Sequence, residues 1–450
     1  MKMKHLLFAL SALFLVIALS ACSGGDDSSD NKANGENGDK DEETTLHVAA
    51  LESAYGADMW KKVAEAYEAT NENVKIEFTI EKNLEEVVRP EMQAGSYPDV
   101  FLLATDREEA LTETLIKEKA VENLSDVLEM KVPGEEAVVK DKILDGFTDT
   151  LATNPYGDGE TYLAPMFYSP TGLFYNESLF EEKGWEVPQT WDEMWELGDK
   201  AKEEGISLFT YPIAGYFDTL LGSMLYASGG PDFYNSAMTY EDNIWETKEA
   251  ERVLKTVEKL GEYTHPNTVA NANPNDFTKN QQLVLENKAL FMPNGSWVVD
   301  EMKEAPRADG FEWGMAPVPA FEEGGDRYAF TFFEQIWIPS AAENKDAAKD
   351  FIAYMYSDEA ADIFLEAGAV QPIEVIVEKL NDQKKIFYSV YENGALPAMG
   401  TFASTEPVPG ASISDEVYGT IDSVISGKTT YEQWKKDIEE VSDKLRPAMK

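Results

Sequence analysis

Cysteine is almost missing from this chain: Cys22 is the single one among 450 residues. One thiol excludes an internal disulfide. With only three histidines beside it, little is left from which to build a zinc or copper centre. No metal and no other cofactor is expected. Positive charge is scarce too, with 38 lysines and arginines against 84 acids and a formal net charge of −46. A polyanion is repelled by phosphate backbones and by anionic lipid headgroups, which disfavours nucleic acid and bare membrane surfaces as partners. The acidity reads as a solvated surface that keeps the chain dispersed. Tandem repeats are absent, as are G-x-S-x-G and H-E-x-x-H signatures, so no motif marks a serine hydrolase or a zinc protease. The opening apolar run, Leu6–Leu19, is shorter than the ~20 residues of a membrane-spanning helix.

What is present is a normal apolar share, 43%, in a length that suits two domains. Lys2, Lys4 and His5 precede the apolar run, and the small residues Ser20 and Ala21 follow it, the layout of a secretory signal over residues 1–21. The sequence Leu19-Ser20-Ala21-Cys22 resembles a bacterial lipobox. That resemblance makes Cys22 the lipidation site and the mature N-terminus, and more than one acyl chain gives lasting anchorage. From Ser23 to Thr45 eight acids face two lysines, with no aromatic or large aliphatic residue. Such a stretch cannot bury enough surface to order itself, so residues 22–45 are expected to form a disordered acidic tether.

Order is expected from Leu46. "LHVAAL" reads as a buried strand, and "DMWKKVAEAYEATN" puts Trp60, Val63, Ala64 and Tyr67 on one helical face with Asp58 as N-cap. "VKIEFTI" alternates as a strand, a helix spans Leu84 to Ala94, and "PDVFLL" is a second buried strand. This alternation is the α/β signature and predicts a parallel sheet flanked by helices. Further on, "LFYN" and "ISLFTYP" read as strands, and "PQTWDEMWELGDKAKEEG" carries a capping box from Thr190 to Glu193. Helices are expected at Lys248–Tyr263, near Asn280–Asn287, in "NKDAAKDFIAYMYS" and in "YEQWKKDIEEVSDKLRPA", with a strand in "ALFMPNGSW". Trp185, Trp191 and Trp195, grouped around the capped helix, suit core positions.

Four stretches in order carry a family resemblance: "YPDVFLLATDR", "LAPMFYSPTGLFYNESLFEEKGWEVPQTWDEM", "ENKALFMPNGSWVV" and "IWIPSAAENKDAAKDFIAYM". Behind a lipobox they make the chain resemble the family-1 extracellular solute-binding proteins of carbohydrate ABC importers. The resemblance implies a periplasmic-binding-protein-like α/β fold with two lobes, a hinge and a ligand cleft between them. Crossings are implied near Leu163–Tyr168, Met315–Val318 and Ala369–Ile373. Lobe one would then hold residues 46–163 plus 319–370, and lobe two 164–315 plus 374–450. The second stretch is closest to binding proteins for N-acetylglucosamine and diacetylchitobiose. The function implied is capture of an oligosaccharide, without catalysis, by a monomer lipid-anchored on the outer face of the bacterial plasma membrane, and its delivery to the permease subunits. A secreted, lipid-anchored glycosidase is the alternative, since two suitably spaced carboxylates suffice for glycoside hydrolysis. A third possibility is an adhesion lipoprotein of the same fold.

A sugar presents an apolar ring face and a rim of hydroxyls, so its site pairs flat aromatic rings with planar polar groups. Trp297, after the turn Asn294-Gly295-Ser296, matches the family's stacking tryptophan; packing in the core is its other option. Tyr216 matches a family aromatic. Its neighbour Phe217 is the competing choice, one of the two pointing inward. Asp106 and Arg107 follow the strand "DVFLLA" at its carboxyl end, where open α/β sheets bind ligands, and match a hydroxyl-binding pair; a surface ion pair is the alternative. Glu52 and Tyr55 occupy the first strand-to-helix loop. Phe332, Phe333 and Glu334 precede "IWIP" as a platform with an acceptor. Tyr168 faces the cleft or packs behind it. Leu103 stands where the family has a tryptophan before the Asp-Arg pair, which argues against a maltodextrin.

Overall fold

The computed structural model describes residues 43–449 apart from 53, 54, 106, 108 and 149. The signal segment, Cys22 and the tether up to residue 42 therefore lie outside the described residues. β1 (Thr44–Leu51) begins two residues before Leu46, where order is expected, and so takes in the last two residues of the expected tether. It pairs in parallel with β2 (Val74–Glu81) from Thr44 opposite Val74 to Leu51 opposite Glu81. Thr44 and Thr45 are β-branched and have a partner strand beside them, which draws them into the ladder. Between the two strands the helix Asp58–Thr70 buries Trp60, Val63, Ala64 and Tyr67, the face its spacing predicts. Asp58 is the first helical residue rather than the cap; Ala57 occupies that place and makes no side-chain capping bond.

β3 (Val100–Leu102) adds in parallel to the other side of β1. β4 (Ala164–Asn176), β5 (Ser207–Phe209), β6 (Ala289–Gly295), β7 (Trp313–Ala316), β8 (Tyr328–Trp337) and β9 (Leu396–Ala398) complete the strands among the described residues. The main path runs β2-β1-β3-β8-β4-β6-β5, with β7 on β4 and β9 on β8. The expected parallel pairing holds for β1–β3 and for β5–β6. In the middle, β8 is antiparallel to both β3 and β4, and β4 is antiparallel to β6 and β7. The centre is mixed because β8 returns from late in the chain and is not bound by a strand-helix-strand crossover.

β4 is the member that ties the sheet together. Residues Ala164–Pro170 pair with β8, and Thr171–Asn176 pair with β6 and β7. Thus "LAPMFYSP" and "LFYN", expected as separate pieces, are one strand of 13 residues. Two large apolar clusters lie along it. One gathers Leu46, Trp60, Phe167, Phe351 and Phe364, and also Phe174 and Trp313 from the far end of β4 and from β7. The other gathers Trp191, Trp195, Phe217, Trp245 and Trp434 around the helices Phe217–Met238, Lys248–Tyr263 and Tyr431–Leu445. Trp185 packs against its edge. Tyr328 and Phe330 also belong to this second cluster, although they fall in the segment 319–370 that the resemblance implies for lobe one.

Candidate functional site

A cavity of about 670 Å³ opens beside β4 and β8. One part of its wall is the run Phe330–Gln335 of β8, backed by Phe167, Tyr168 and Ser169 of β4. Register explains the backing: Phe332, Phe333 and Glu334 stand opposite Ser169, Tyr168 and Phe167. Tyr55 adds its ring from the first strand-to-helix loop, edge-on to Phe167 at 5.7 Å. Burial pushes the Glu334 carboxyl up to about 7, and the positive charge of Arg107 only partly opposes this. Tyr55 is raised as well, by burial and then by the charge of Glu334, against a hydrogen bond with Ser169.

Among the described residues Arg107 is held by a glutamate. Its guanidinium forks onto Glu85, Nε to Oε1 and Nη2 to Oε2, the latter at 3.1 Å. Glu85 is fully buried on the helix Leu84–Gln93, so this bidentate bond satisfies a charge that would otherwise be costly there.

Trp297 follows β6, and its six-membered ring comes so close to Gly295 that a Cβ there would collide with the indole. Glycine is thus required for the close turn. The indole Nε1 donates to the Tyr216 hydroxyl at 3.4 Å, and the indole tilts against Phe332 at 5.7 Å. Phe332 is 46% exposed, the most open large apolar side chain among the described residues. Tyr216, Trp297 and Phe332 therefore form a connected aromatic group at the rim, which Phe332 and Gly215 join to the cavity wall.

The rest of the wall comes from the start of the helix Phe217–Met238 and from the chain near Gly400 and Tyr418. Gly222 lets this helix lie on β8, since a Cβ there would meet the Phe330 ring at 2.8 Å. Tyr226, Tyr234 and Tyr240 donate to the carbonyls of Met399, Gly400 and Ala403 and so fix the late segment. Asp218 lines the cavity from the first helical turn, where its Oδ1 accepts from the Thr219 amide at 2.6 Å. Burial nevertheless raises its carboxyl to about 6.

The structure brings Tyr55, Phe333 and Glu334 to the wall directly; Trp297 and Tyr216 are not lining residues, Trp297 standing behind Phe332 and Tyr216 next in the chain to Gly215. Tyr168 is a wall residue of the packed-behind kind: it is 1% exposed, wedged among Phe147, Tyr388 and Tyr391, and its hydroxyl is buried without a hydrogen-bond partner among the described residues. Phe217, the rival of Tyr216, is fully buried against Phe209 and Tyr211. It is a core residue because the helix begins there and turns that side inward. Glu52 is half-buried at the end of β1, its amide bonded to Glu81, and does not line the cavity. Asp106 lies outside the described residues. Sequence reasoning missed Asp218, Thr401 and Tyr418, which reach the wall from separated segments. For Asp218 alone a signal existed, an acid directly after the Tyr216-Phe217 pair.

Asp242, Glu439 and Asp443 come close enough together to hold a cation. The Arg446 guanidinium already stands among them, 3.3 Å from Asp242 and 2.9 Å from Asp443. No helix among the described residues is long and apolar enough to cross a membrane.

A mixed α/β sheet with a ring-rimmed cavity beside its central strands is the build of a receptor for small solutes. Residues 62–377 match the model of the bacterial extracellular solute-binding proteins, and the chain belongs to that family. It is 26% identical over 358 residues to the diacetylchitobiose binding protein NgcE of Streptomyces coelicolor, covering 77% of this chain and 74% of that one. It is 24% identical over 376 residues to a maltotriose-binding protein of Pyrococcus abyssi, at 82% and 74% coverage. Its fold is that of a family 1 extracellular solute-binding protein from Bifidobacterium longum subsp. infantis: TM-score 0.64 at 19% identity, over 90% of this chain and all of that one.

Proposed function

We propose that the chain is the sugar-capturing component of an ABC importer, taking an oligosaccharide of the diacetylchitobiose or N-acetylglucosamine class and passing it to membrane permease subunits. The observation that carries this reading is the rim of Tyr216, Trp297 and Phe332 beside a cavity that also presents Glu334 and Asp218. Rings offer faces to the sugar, and the carboxyls accept its hydroxyls. The named relatives are binding proteins for diacetylchitobiose and for maltotriose, which supports a sugar over other solutes. In this reading the chain divides into two lobes along β4 and β8, and a ligand touching both lobes favours their closure. Cys22 carries the lipid anchor, and the acidic tether holds a monomeric receptor near its permease on the outer face of the membrane. No step of catalysis is assigned.

Titration of diacetylchitobiose, maltotriose and oligogalacturonides, followed by heat and tryptophan fluorescence, tests the reading. Binding of at least one, with a change in indole emission, is expected. Silence across all three rejects it. Two half-buried carboxyls with raised pKa in one cavity also suit a glycosidase. Release of monomer from chitobiose on incubation with the protein would favour that function instead.

A further inference from the structure

β8 changes neighbours along one of its edges. β9 pairs there with Tyr328–Phe330, and β3 pairs with Ile336 and Trp337, the Leu103 amide reaching the Gln335 carbonyl at 3.2 Å. Register tells which main-chain groups face the break between them. A strand residue sends its N–H and C=O to one side, and successive residues alternate. Gln335 faces β3, and Arg327, whose carbonyl accepts from the Leu396 amide, faces β9. Thr331 and Phe333, of the same parity, therefore point into the break. The β4 side agrees, since Thr331 and Gln335 stand opposite Pro170 and Pro165, which have no N–H to give. Among the described residues neither Thr331 nor Phe333 has a main-chain partner on the open edge. Ala104 and Thr105, just past β3, and Gly400 and Thr401, just past β9, line the cavity together with Thr331 and Phe333, so the break opens on the candidate site. We propose that this break in the sheet is a subsite for the acetamido group of an N-acetylated sugar, with the Phe333 amide donating to the acetamide carbonyl. This rests on the reading of the chain as a sugar receptor and assigns the part of the site that tells such a sugar from its hydroxyl counterpart.

An acetamido group is a peptide unit in miniature, and a strand edge with a rung missing is the natural partner for one. Main-chain N–H and C=O groups demand hydrogen bonds once water is displaced from them. A trans amide directs its N–H away from its own carbonyl, so one acetamide meets β8 through its oxygen, while sugar hydroxyls donate to the Thr331 and Phe333 carbonyls. Ala104 and Gly400 border the break with little side chain, which suits the acetyl methyl. A sugar with a hydroxyl in place of the acetamide leaves the Phe333 N–H without its carbonyl acceptor, and a site built around a hydrogen bond rejects a ligand that cannot complete it.

Hydrogen exchange at the Phe333 amide of the full chain, alone and with diacetylchitobiose or cellobiose, tests the subsite beside calorimetric titration of both sugars. Saturating diacetylchitobiose should slow that exchange about tenfold or more, and cellobiose should bind about tenfold more weakly. Phe333→Ala keeps the N–H and loses the ring, so it should weaken both sugars alike. Phe333→Pro removes the N–H from the open edge without taking a bond from the β4 ladder, and should bring the two affinities to within about twofold. Unchanged exchange at Phe333 under bound diacetylchitobiose overturns the subsite and leaves the receptor intact. Undiminished preference in a folded proline variant does the same, as does binding of maltotriose without diacetylchitobiose. If the proline variant does not fold, the exchange measurement decides alone. Silence of diacetylchitobiose, cellobiose and maltotriose together removes the receptor reading and the subsite with it.

Discussion

The two parts of the cavity wall are built in different ways. The β8 part is a continuous run, Phe332 to Gln335, in which neighbours in sequence stay neighbours in space. Strand alternation then decides which ring is open: Phe332 reaches the rim beside Trp297, while Phe333 turns toward Phe147. The other part brings Gly215, Asp218, Thr401 and Tyr418 together from three separated segments, held by tyrosine-to-carbonyl bonds. A wall made of one strand tolerates change at its face, whereas a wall assembled from distant pieces depends on what lies behind it.

The sharpest way to break that contrast is the pair Phe217 and Tyr216. Phe217→Ala should destabilise the fold by about 3–5 kcal/mol, read as a lower denaturant midpoint, because it empties a fully buried site under the assembled wall. Tyr216→Ala should leave stability within about 1 kcal/mol and weaken sugar binding instead. Equal stability losses would mean that the assembled wall has no foundation distinct from its face. Next in size is Trp297→Ala, expected to cost about 2 kcal/mol of sugar affinity by titration, the scale of an aromatic anchor. Phe332→Ala on the continuous wall should cost about 1 kcal/mol of affinity with an unchanged melting temperature, since its ring is 46% exposed already. A large loss of stability at Phe332 would contradict the tolerance claimed for a one-strand wall.

The same difference decides what the sequence could disclose. Helices with strong apolar periodicity, such as Lys248–Tyr263, and strands with buried or alternating runs were legible because local pattern and final packing agree. So was Tyr55, in the loop after β1 where the fold class places a site; Phe333 and Glu334, read as a platform before "IWIP", line the cavity from the middle of β8. Asp218 and Tyr418 were hidden because their meeting depends on tertiary contacts across the second apolar cluster. Arg107 shows the intermediate case: its place after β3 was readable, but its partner, buried Glu85, lies on another element with no local signal. The helix Phe217–Met238 escaped notice because it is buried nearly all round and carries a Gly-Pro break at Gly230-Pro231.

The finest distinction between the two parts lies in their carboxyls. An unfolded chain holds Glu and Asp near 4, whereas the fold raises Glu334 to about 7 and Asp218 to about 6. The folded state therefore binds more protons than the unfolded one across that interval. Both groups contribute stability that is complete below about pH 4 and is lost as pH rises, through about 6 for Asp218 and about 7 for Glu334. Glu334→Gln and Asp218→Asn stay neutral and should each remove their share of this downward slope, shifting the melting temperature at pH 7.5 upward by about 1–3 °C relative to the parent. Melting curves from pH 4.5 to 8 should place the Asp218 loss about one pH unit below that of Glu334. If neither substitution flattens the profile, the carboxyls are better solvated than their surroundings imply, and the continuous and assembled walls are electrostatically alike.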